Sequence, residues 1–182
     1  SRFENSGTFT IQCDRMVTRY YDILDLFNTG VLRKTGSPGQ TDLSASLLNE
    51  GLVAADTGVL SFRAGGTNRG ELHVGTNAYI ALDSGAFIFE PSARLSGPGW
   101  LLVRSQEAYA SLGAPAGQEV TLEGNVQLAN GGLSSGGSLL VTNGSFLWDS
   151  GVIYPTLKIA PENGRLLRSE EHTSELQSRS DL

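Results

Sequence analysis

The sequence has little cysteine, lysine and charge, and each shortage excludes a class of protein or site. Cys13 is the single cysteine, so an internal disulfide and a cysteine-based metal site are both excluded. Lys34 and Lys158 are the only lysines, and the net charge is −6, which argues against a nucleic-acid partner because phosphate binding needs a basic face. No apolar run approaches the roughly 20 residues that span a bilayer as a helix. We therefore predict neither nucleic-acid binding nor membrane insertion for this stretch.

Glycine, by contrast, is abundant, with 23 residues in a chain of 182. It follows no triplet period, which excludes collagen, and a hydrophobic content of 39% is too high for a disordered chain of this modest charge. The polar remainder is mostly Ser, Thr, Asn and Gly. That mixture favours many short strands joined by tight turns.

The end of the chain differs in composition from the rest. Residues 168–178 read RSEEHTSELQS and resemble the translation of a short-read sequencing adapter. We interpret residues 168–182, which contain no glycine, as an artefactual or disordered tail and exclude them from functional arguments. The chain also opens inside a repeat and without an initiator Met. Residues 1–167 are therefore expected to be a fragment truncated at both ends.

One phrase recurs in the first half of the chain: a large apolar residue, asparagine, any residue, then glycine. Its glycines fall at steps of 23, 21 and 19 residues, which indicates a repeat of about 20 residues. The copies are Phe27–Gly30, Leu48–Gly51 and the looser Asn68–Gly70, with Phe3–Gly7 as a variant.

A second phrase, Asp-Thr/Ser-Gly, lies between copies of the first and recurs near the end of the chain. Its Asp can close a turn with its side chain, and its Gly supplies a positive φ at no steric cost. Aspartic proteases use a similar triplet to pair two carboxylates, but the residue that follows here is Val or Ala rather than the Thr or Ser expected. Three copies at repeat spacing are better explained as turns: Asp56–Gly58, Asp83–Gly85 and Asp149–Gly151.

Short runs of alternating polarity separate these turns, which is the period of a β-strand. Each run is too small to bury its apolar face alone, whereas stacked repeats of about 20 residues would create a continuous interior. The sequence therefore predicts an all-β fold, a parallel β-helix (β-solenoid) with short strands. The runs are residues 60–62, 72–74, 80–82, 120–122, 126–128 and 157–159.

Two segments fit this pattern poorly. In residues 14–27, Met16, Tyr20, Leu24 and Phe27 lie at helical spacing, so a short amphipathic helix and a strand are both open. Residues 104–116 form either a loop or a helical turn that bulges from the coil.

The repeat phrases resemble those of a known group of proteins. Residues 27–62 and 144–161 are similar to the glycine-rich repeats of very large bacterial surface proteins, the autotransporter passengers and filamentous-haemagglutinin-like β-helices. The resemblance covers most of residues 1–167. It implies secretion or display at the bacterial cell surface, and a role as a stalk, scaffold or adhesive surface. Surface glycans or other cell-surface proteins are the implied partners, and no catalytic residue is carried over.

A polysaccharide-cleaving β-helix enzyme is the main alternative. Such enzymes place carboxylates and Arg or Lys on one exposed face, and general acid–base work needs two carboxyls within about 5–9.5 Å. No motif selects any acid here, so scattered solvated charges are favoured and no catalytic residue is predicted. The candidates are Asp56, Glu71, Asp83, Glu90, Arg63 and Arg94.

A glycan-binding module is the second alternative, and it needs a row of exposed aromatic side chains. The candidates are Tyr79, Trp100, Tyr109 and Trp148, although Trp148 lies in an apolar run that favours burial.

Metal and cofactor sites are not predicted. His73 should face solvent, since Leu72 and Val74 beside it are apolar, and one histidine does not make a metal site without carboxylate help. Calcium could use Asp56 or Asp83, but the GGxGxD repeat that binds calcium is absent. Glycine-rich nucleotide-binding motifs are absent as well.

Overall fold

The computed structural model describes residues 1–17, 24–106, 109–134, 136–161 and 163–168, and every regular element in these ranges is a β-strand. The 23 strands pair in parallel and form a coil with three faces, which the chain visits in rotation from β3 onward. There are about seven turns of roughly 21 residues each. The predicted parallel β-helix is therefore confirmed.

Face 1 is a single eight-stranded sheet. Its strands are β1 (Arg2–Asn5), β3 (Leu24–Asn28), β6 (Ala45–Asn49), β9 (Gly66–Asn68), β12 (Gly85–Phe89), β15 (Ala110–Gly113), β18 (Gly131–Leu133) and β21 (Gly151–Ile153).

Face 2 is divided into a five-stranded and a three-stranded sheet. The first contains β2 (Thr8–Ile11), β4 (Val31–Lys34), β7 (Leu52–Ala55), β10 (Glu71–Val74) and β13 (Arg94–Ser96). The second contains β16 (Glu119–Leu122), β19 (Ser138–Val141) and β22 (Leu157–Ile159).

Face 3 is a seven-stranded sheet. Its strands are β5 (Gln40–Leu43), β8 (Gly58–Phe62), β11 (Ala78–Leu82), β14 (Trp100–Arg104), β17 (Asn125–Ala129), β20 (Gly144–Trp148) and β23 (Gly164–Arg168). All six alternating runs predicted from the sequence lie in strands of faces 2 and 3.

The core is a set of apolar columns that run along the coil axis. Because alternate residues of a strand face opposite ways, one side chain per strand stacks on the equivalent side chain of the next turn. On face 3, register pairing begins at the buried hydroxyl residue Thr41 and then stacks five fully buried apolar side chains, Leu60, Ile80, Leu101, Val126 and Phe146. Burying one such apolar side chain stabilises the fold by about 1.5–3 kcal/mol.

A ladder of buried asparagines lines the corner between faces 1 and 2. The Nδ2 atoms of Asn5, Asn28 and Asn49 each donate to the Oδ1 of the next asparagine, at 2.7, 2.8 and 2.7 Å, and the ladder ends at Asn68. Each of the last three amides also donates to the carbonyl of the glycine two residues later. The asparagines of the first repeat phrase thus satisfy one another inside the coil.

The glycines of the two repeat phrases are required for different reasons. In the Asp-Thr/Ser-Gly phrase, Gly58, Gly85 and Gly151 have φ values of 66°, 87° and 107°, which confirms the predicted positive φ. In the first phrase the reason is close approach, since a Cβ on Gly51 would lie 2.2 Å from the Gly30 carbonyl oxygen. A side chain at that corner would push successive turns apart.

The structure describes parts of the two irregular segments and one residue of the predicted tail. Leu24 and Phe27 lie in a strand, β3, whereas residues 18–23 lie outside the described residues. Of residues 104–116, Arg104 ends β14 and Ala110–Gly113 form β15, whereas residues 107 and 108 lie outside the described residues. Strand β23 extends through Arg168, the first residue of the predicted tail, and residues 169–182 lie outside the described residues.

Candidate functional site

A polar network covers the outer side of face 3 between β5 and β14. Its centre is Asp83, which is 1% exposed and accepts two hydrogen bonds from Arg104, at 2.6 and 3.0 Å. Ser61 donates to the same carboxylate at 2.6 Å. Arg104 also donates to Gln40 Oε1 at 2.9 Å, and the amide of Gln40 donates to Asp42 at 2.6 Å. A two-pronged guanidinium contact of this kind fixes geometry as well as charge.

The floor of this network is made of small residues. Ser61 and Ala81 point away from the core cluster, yet both are fully buried. They lie on β8 and β11, which the side chain of Arg104 must cross to reach Gln40 on β5. Larger side chains there would block that path. The second acid of the network, Asp42, is held by Arg63 at 3.1 Å, so each carboxylate has its own guanidinium.

The other candidate acids are held by separate partners. Asp56 lies 3.7 Å from Arg33, and Glu90 lies 3.1 Å from Arg69. Asp149 accepts a hydrogen bond from Gln127. It follows β20, which lies three strands, or about 14 Å at the usual strand spacing, from β11, the strand that precedes Asp83. Arg94 is exposed on β13, opposite Glu71. The face-3 network contains only Asp83 and Arg63 of the six residues proposed for an enzyme.

His73 faces outward on face 2, as the alternation predicts, and it belongs to a short hydrogen-bonded chain. Its Nδ1 lies 2.9 Å from Ser96 Oγ, and Ser96 donates to Glu71 Oε1 at 2.5 Å. A hydroxyl has one proton, so His73 Nδ1 must be the donor to Ser96. A serine nucleophile would instead donate to the histidine. This chain therefore joins β10 to β13 rather than activating Ser96.

A buried cation lies at the corner between faces 2 and 3. The side chain of Lys34 is fully buried, and its Nζ donates to Asp14 at 2.9 Å and to the carbonyl and hydroxyl oxygens of Ser37. The bond from Lys34, followed by that from Ser37, holds the pKa of Asp14 below its usual value, while partial desolvation opposes the shift. All three donors of the ammonium group are thus engaged.

The four candidate aromatics do not form one row. Tyr79 and Trp100 are register partners on the outer side of face 3, and both are half-buried. Trp148 packs against the core, as predicted, with the Arg168 guanidinium 5.1 Å from its ring. Tyr109 precedes face 1 and is 54% exposed.

The surface around Tyr109 contains a pocket of about 350 Å³. Three of its lining residues, Ser105, Gln106 and Tyr109, lie between β14 and β15, where residues 107 and 108 are outside the described residues. Its described lining combines Tyr109 and Val152 with the polar groups of Ser105, Gln106 and Asn130 and with two glycines.

The contacts of several of these residues cannot be recognised from a single sequence. Arg104 and Gln40 meet only because the turns stack in one particular register, and Gly132 matters only because Tyr109 lies over it. The spacing of Asp83 and Arg104, 21 residues or one turn of the coil, is the one sequence signal that could have indicated their pairing.

Comparisons with known proteins return no match, whether with family models, curated proteins or solved structures. The fold assignment therefore stands on the strand topology itself. Within the described residues, no group of three or more His, Cys, Asp or Glu side chains is placed to hold a metal ion. A search of the same residues finds no helix long and apolar enough to span a membrane.

Proposed function

We propose that this chain is a structural and adhesive segment of a secreted or cell-surface bacterial protein, without catalysis. The observation that carries the proposal is that many of its polar side chains form hydrogen bonds with each other across successive turns of the coil. The asparagine ladder, the face-3 network and the chain from His73 to Glu71 all link strands of different turns. Such a pattern supports a scaffold that presents its outer faces.

The distribution of the acids supports the same proposal. General acid–base chemistry needs two carboxyls that face one substrate bond, whereas Asp83 and Asp42 each have an arginine partner within the network. Asp83 is also 1% exposed, which leaves almost none of its surface for a substrate.

A display experiment tests the proposed role. The full chain would be anchored on the surface of a non-adherent bacterial host, and retention of the cells on epithelial monolayers and on immobilised glycans would be counted. We expect retention well above that of the host carrying the anchor alone. The matched control is the same display of Asn49→Ala, whose destabilised coil should reduce the retention.

Two results would contradict the proposal. Retention no greater than that of the anchor alone would overturn the adhesive role. Release of reducing or unsaturated sugar ends from a polysaccharide panel by the purified chain, abolished in Asp83→Asn, would replace it with an enzyme.

A further inference from the structure

We infer that the outer side of face 3 binds an extended, β-1,4-linked glycan, which lies along the coil axis across Tyr79 and Trp100. This inference names the ligand class of the adhesive role, and so rests in part on the proposed function. The two aromatic side chains are register partners on β11 and β14, and both are partly exposed. The strands and turns next to them all lie within the described residues.

The two rings form the middle of a strip that crosses five strands. Register pairing from β5 to β17 aligns Gln40, Val59, Tyr79, Trp100 and Asn125 on the outer side of face 3. Four strand spacings of about 4.8 Å make this strip about 19 Å long. The strip has amides at its two ends and apolar side chains between them. A sugar chain has the matching character, because its rings carry both apolar C–H faces and hydroxyl groups.

The two rings have an apolar base beside them. Ala81 and Leu102 follow Tyr79 and Trp100 by two residues and therefore lie on the same outer side of the sheet. Both residues are outside the core cluster, yet they are only 0% and 8% exposed. Outer side chains must therefore lie over them, along the sheet rather than away from it.

The corner that borders the strip, between faces 2 and 3, is built largely of glycine. A Cβ on Gly99 would lie 2.3 Å from the carbonyl oxygen of Gly75, so neither turn has room for a side chain at Gly99. The exposed residues Asn77 and Pro98 of the same two turns precede the rings by two residues. A ligand across the rings thus meets a low border on this side.

The polar atoms of the two rings are available to a ligand, unlike the amides at the ends of the strip. Asn125 uses its amide on backbone groups of the turn before β14 and of β20, and Gln40 is held in the face-3 network. The indole N–H of Trp100 and the hydroxyl of Tyr79 make no hydrogen bond with any described residue. They offer one donor and one group that both donates and accepts, as sugar hydroxyls require.

The spacing of the rings determines the shape of the ligand. Neighbouring strands are about 4.8 Å apart, which is close to the length of one sugar residue in an extended β-1,4-linked chain. Such a chain along the coil axis places one sugar over each strand of the strip, and its C–H faces pack on Tyr79 and Trp100. An α-1,4-linked chain curves and loses this register after a few sugars.

Calorimetric titration of the purified full chain with hexasaccharides tests the inference. Cellohexaose and chitohexaose are the extended probes, and maltohexaose, which is α-1,4-linked, is the mismatched comparison. We expect at least one extended probe to bind about tenfold more tightly than maltohexaose, and Trp100→Ala and Tyr79→Ala each to weaken its binding about tenfold, as for aromatic anchors. Tyr79→Phe keeps the ring and should weaken binding less than Tyr79→Ala.

Two further variants separate binding from folding. Val59→Glu places a charge in the partly exposed strip without removing either ring, and should also weaken binding, while thermal melting verifies that it folds. Tyr154→Ala removes a tyrosine that follows β21 on face 1 and is 67% exposed, so it is the matched control and should leave binding unchanged.

Four results would overturn the inference. They are failure of both extended probes, equal or tighter binding of maltohexaose, loss of binding in Tyr154→Ala but not in Trp100→Ala, and a concentration-dependent dimer that dissociates in Trp100→Ala. The last result would assign the strip to a second copy of the chain. If the oligosaccharides fail while displayed cells still adhere, the strip assignment falls and the adhesive role stands. If the extended probes bind while displayed cells do not adhere, the reverse holds.

Discussion

The first half of the coil, β1–β11, and the second, β12–β23, close the same corner in different ways. In the first half the connections from face 1 to face 2 have two residues each, and a ladder asparagine precedes every one. In the second half the equivalent connections have three to five residues. The ladder position after Asn68 is taken by Phe89, its register partner, which is buried.

This difference shows what the ladder does. Asn28 and Asn49 each bond to the next turn and also to the glycine carbonyl that follows, so each ties a tight corner in place. Where the column becomes apolar, that tie is lost and the connections lengthen. The pocket beside Tyr109 also lies in this second half. The first half is therefore the more uniform scaffold, and the second half has the freedom to vary its surface.

Replacing a central ladder residue should give the largest effect. Asn49→Ala removes the donor to Asn68 Oδ1 and to the carbonyls of Gly51 and Glu71, and each unsatisfied buried group costs about 1–3 kcal/mol. We expect the free energy of unfolding, from urea titration, to fall by about 3–5 kcal/mol. Asn68→Ala, at the ladder end, breaks one ladder bond and should cost about half as much. An equal loss in the two variants would contradict the ladder as the closing element.

The glycine stack tests a feature that both halves share. A Cβ on Gly51 would lie 2.2 Å from a carbonyl oxygen, and one on Gly144 would lie 2.1 Å from another. Gly51→Ala and Gly144→Ala should each cost about 3 kcal/mol, the upper part of the range for overpacking. Gly7→Ala meets nothing within 4 Å and is the control, expected to change the unfolding free energy by less than about 0.5 kcal/mol. A large loss in Gly7→Ala would contradict close approach as the reason for these glycines, because the unfolded-chain entropy alone favours alanine there.

The face-3 network should couple the two halves. Arg104 belongs to β14 in the second half, whereas Asp83 follows β11 and Gln40 lies on β5 in the first. Asp83→Asn should cost about 2 kcal/mol, since a hydrogen bond to a charged group is worth about 1.5–3 kcal/mol. Asp56→Asn, whose ion pair with Arg33 is partly exposed at 3.7 Å, should cost less than about 1 kcal/mol. A double-mutant cycle of Asp83→Asn with Gln40→Ala that shows no coupling energy would argue against the network.

Acid unfolding should reveal the smallest difference. Lys34 lowers the pKa of Asp14 in the first half, and Lys158 lowers that of Glu119 in the second. A carboxyl with a lowered folded-state pKa adds stability above its unfolded pKa and loses it as the pH falls through the folded value. Asp14→Asn should therefore flatten the acid-side decline in unfolding free energy. Glu119→Gln should flatten it less, because Lys158 is 53% exposed and Lys34 is fully buried. An equal change in the acid-side slope of the two variants would show that burial of the lysine does not affect how strongly it stabilises the carboxylate.

The sequence predicted the strands well because period two and stacked repeats leave few alternatives. All six alternating runs are strands, and Gly58, Gly85 and Gly151 adopt the expected positive φ. The inward direction of Asn28 and Asn49 was not foreseen, because asparagine next to glycine is also a common turn signal. The sequence did mark residues 104–116 as irregular, but it could not locate the pocket, because Tyr109 and Gly132 meet only once the turns are stacked in register.

The asparagine ladder also has a direction. In each of its three links the donor is the asparagine nearer the N-terminus, so the amide dipoles point the same way along the axis and polarise one another. An aspartate at any rung would accept without donating and would turn its oxygen toward the oxygen of the next asparagine. Slow deamidation of a single rung would thus reverse one link from attraction to repulsion.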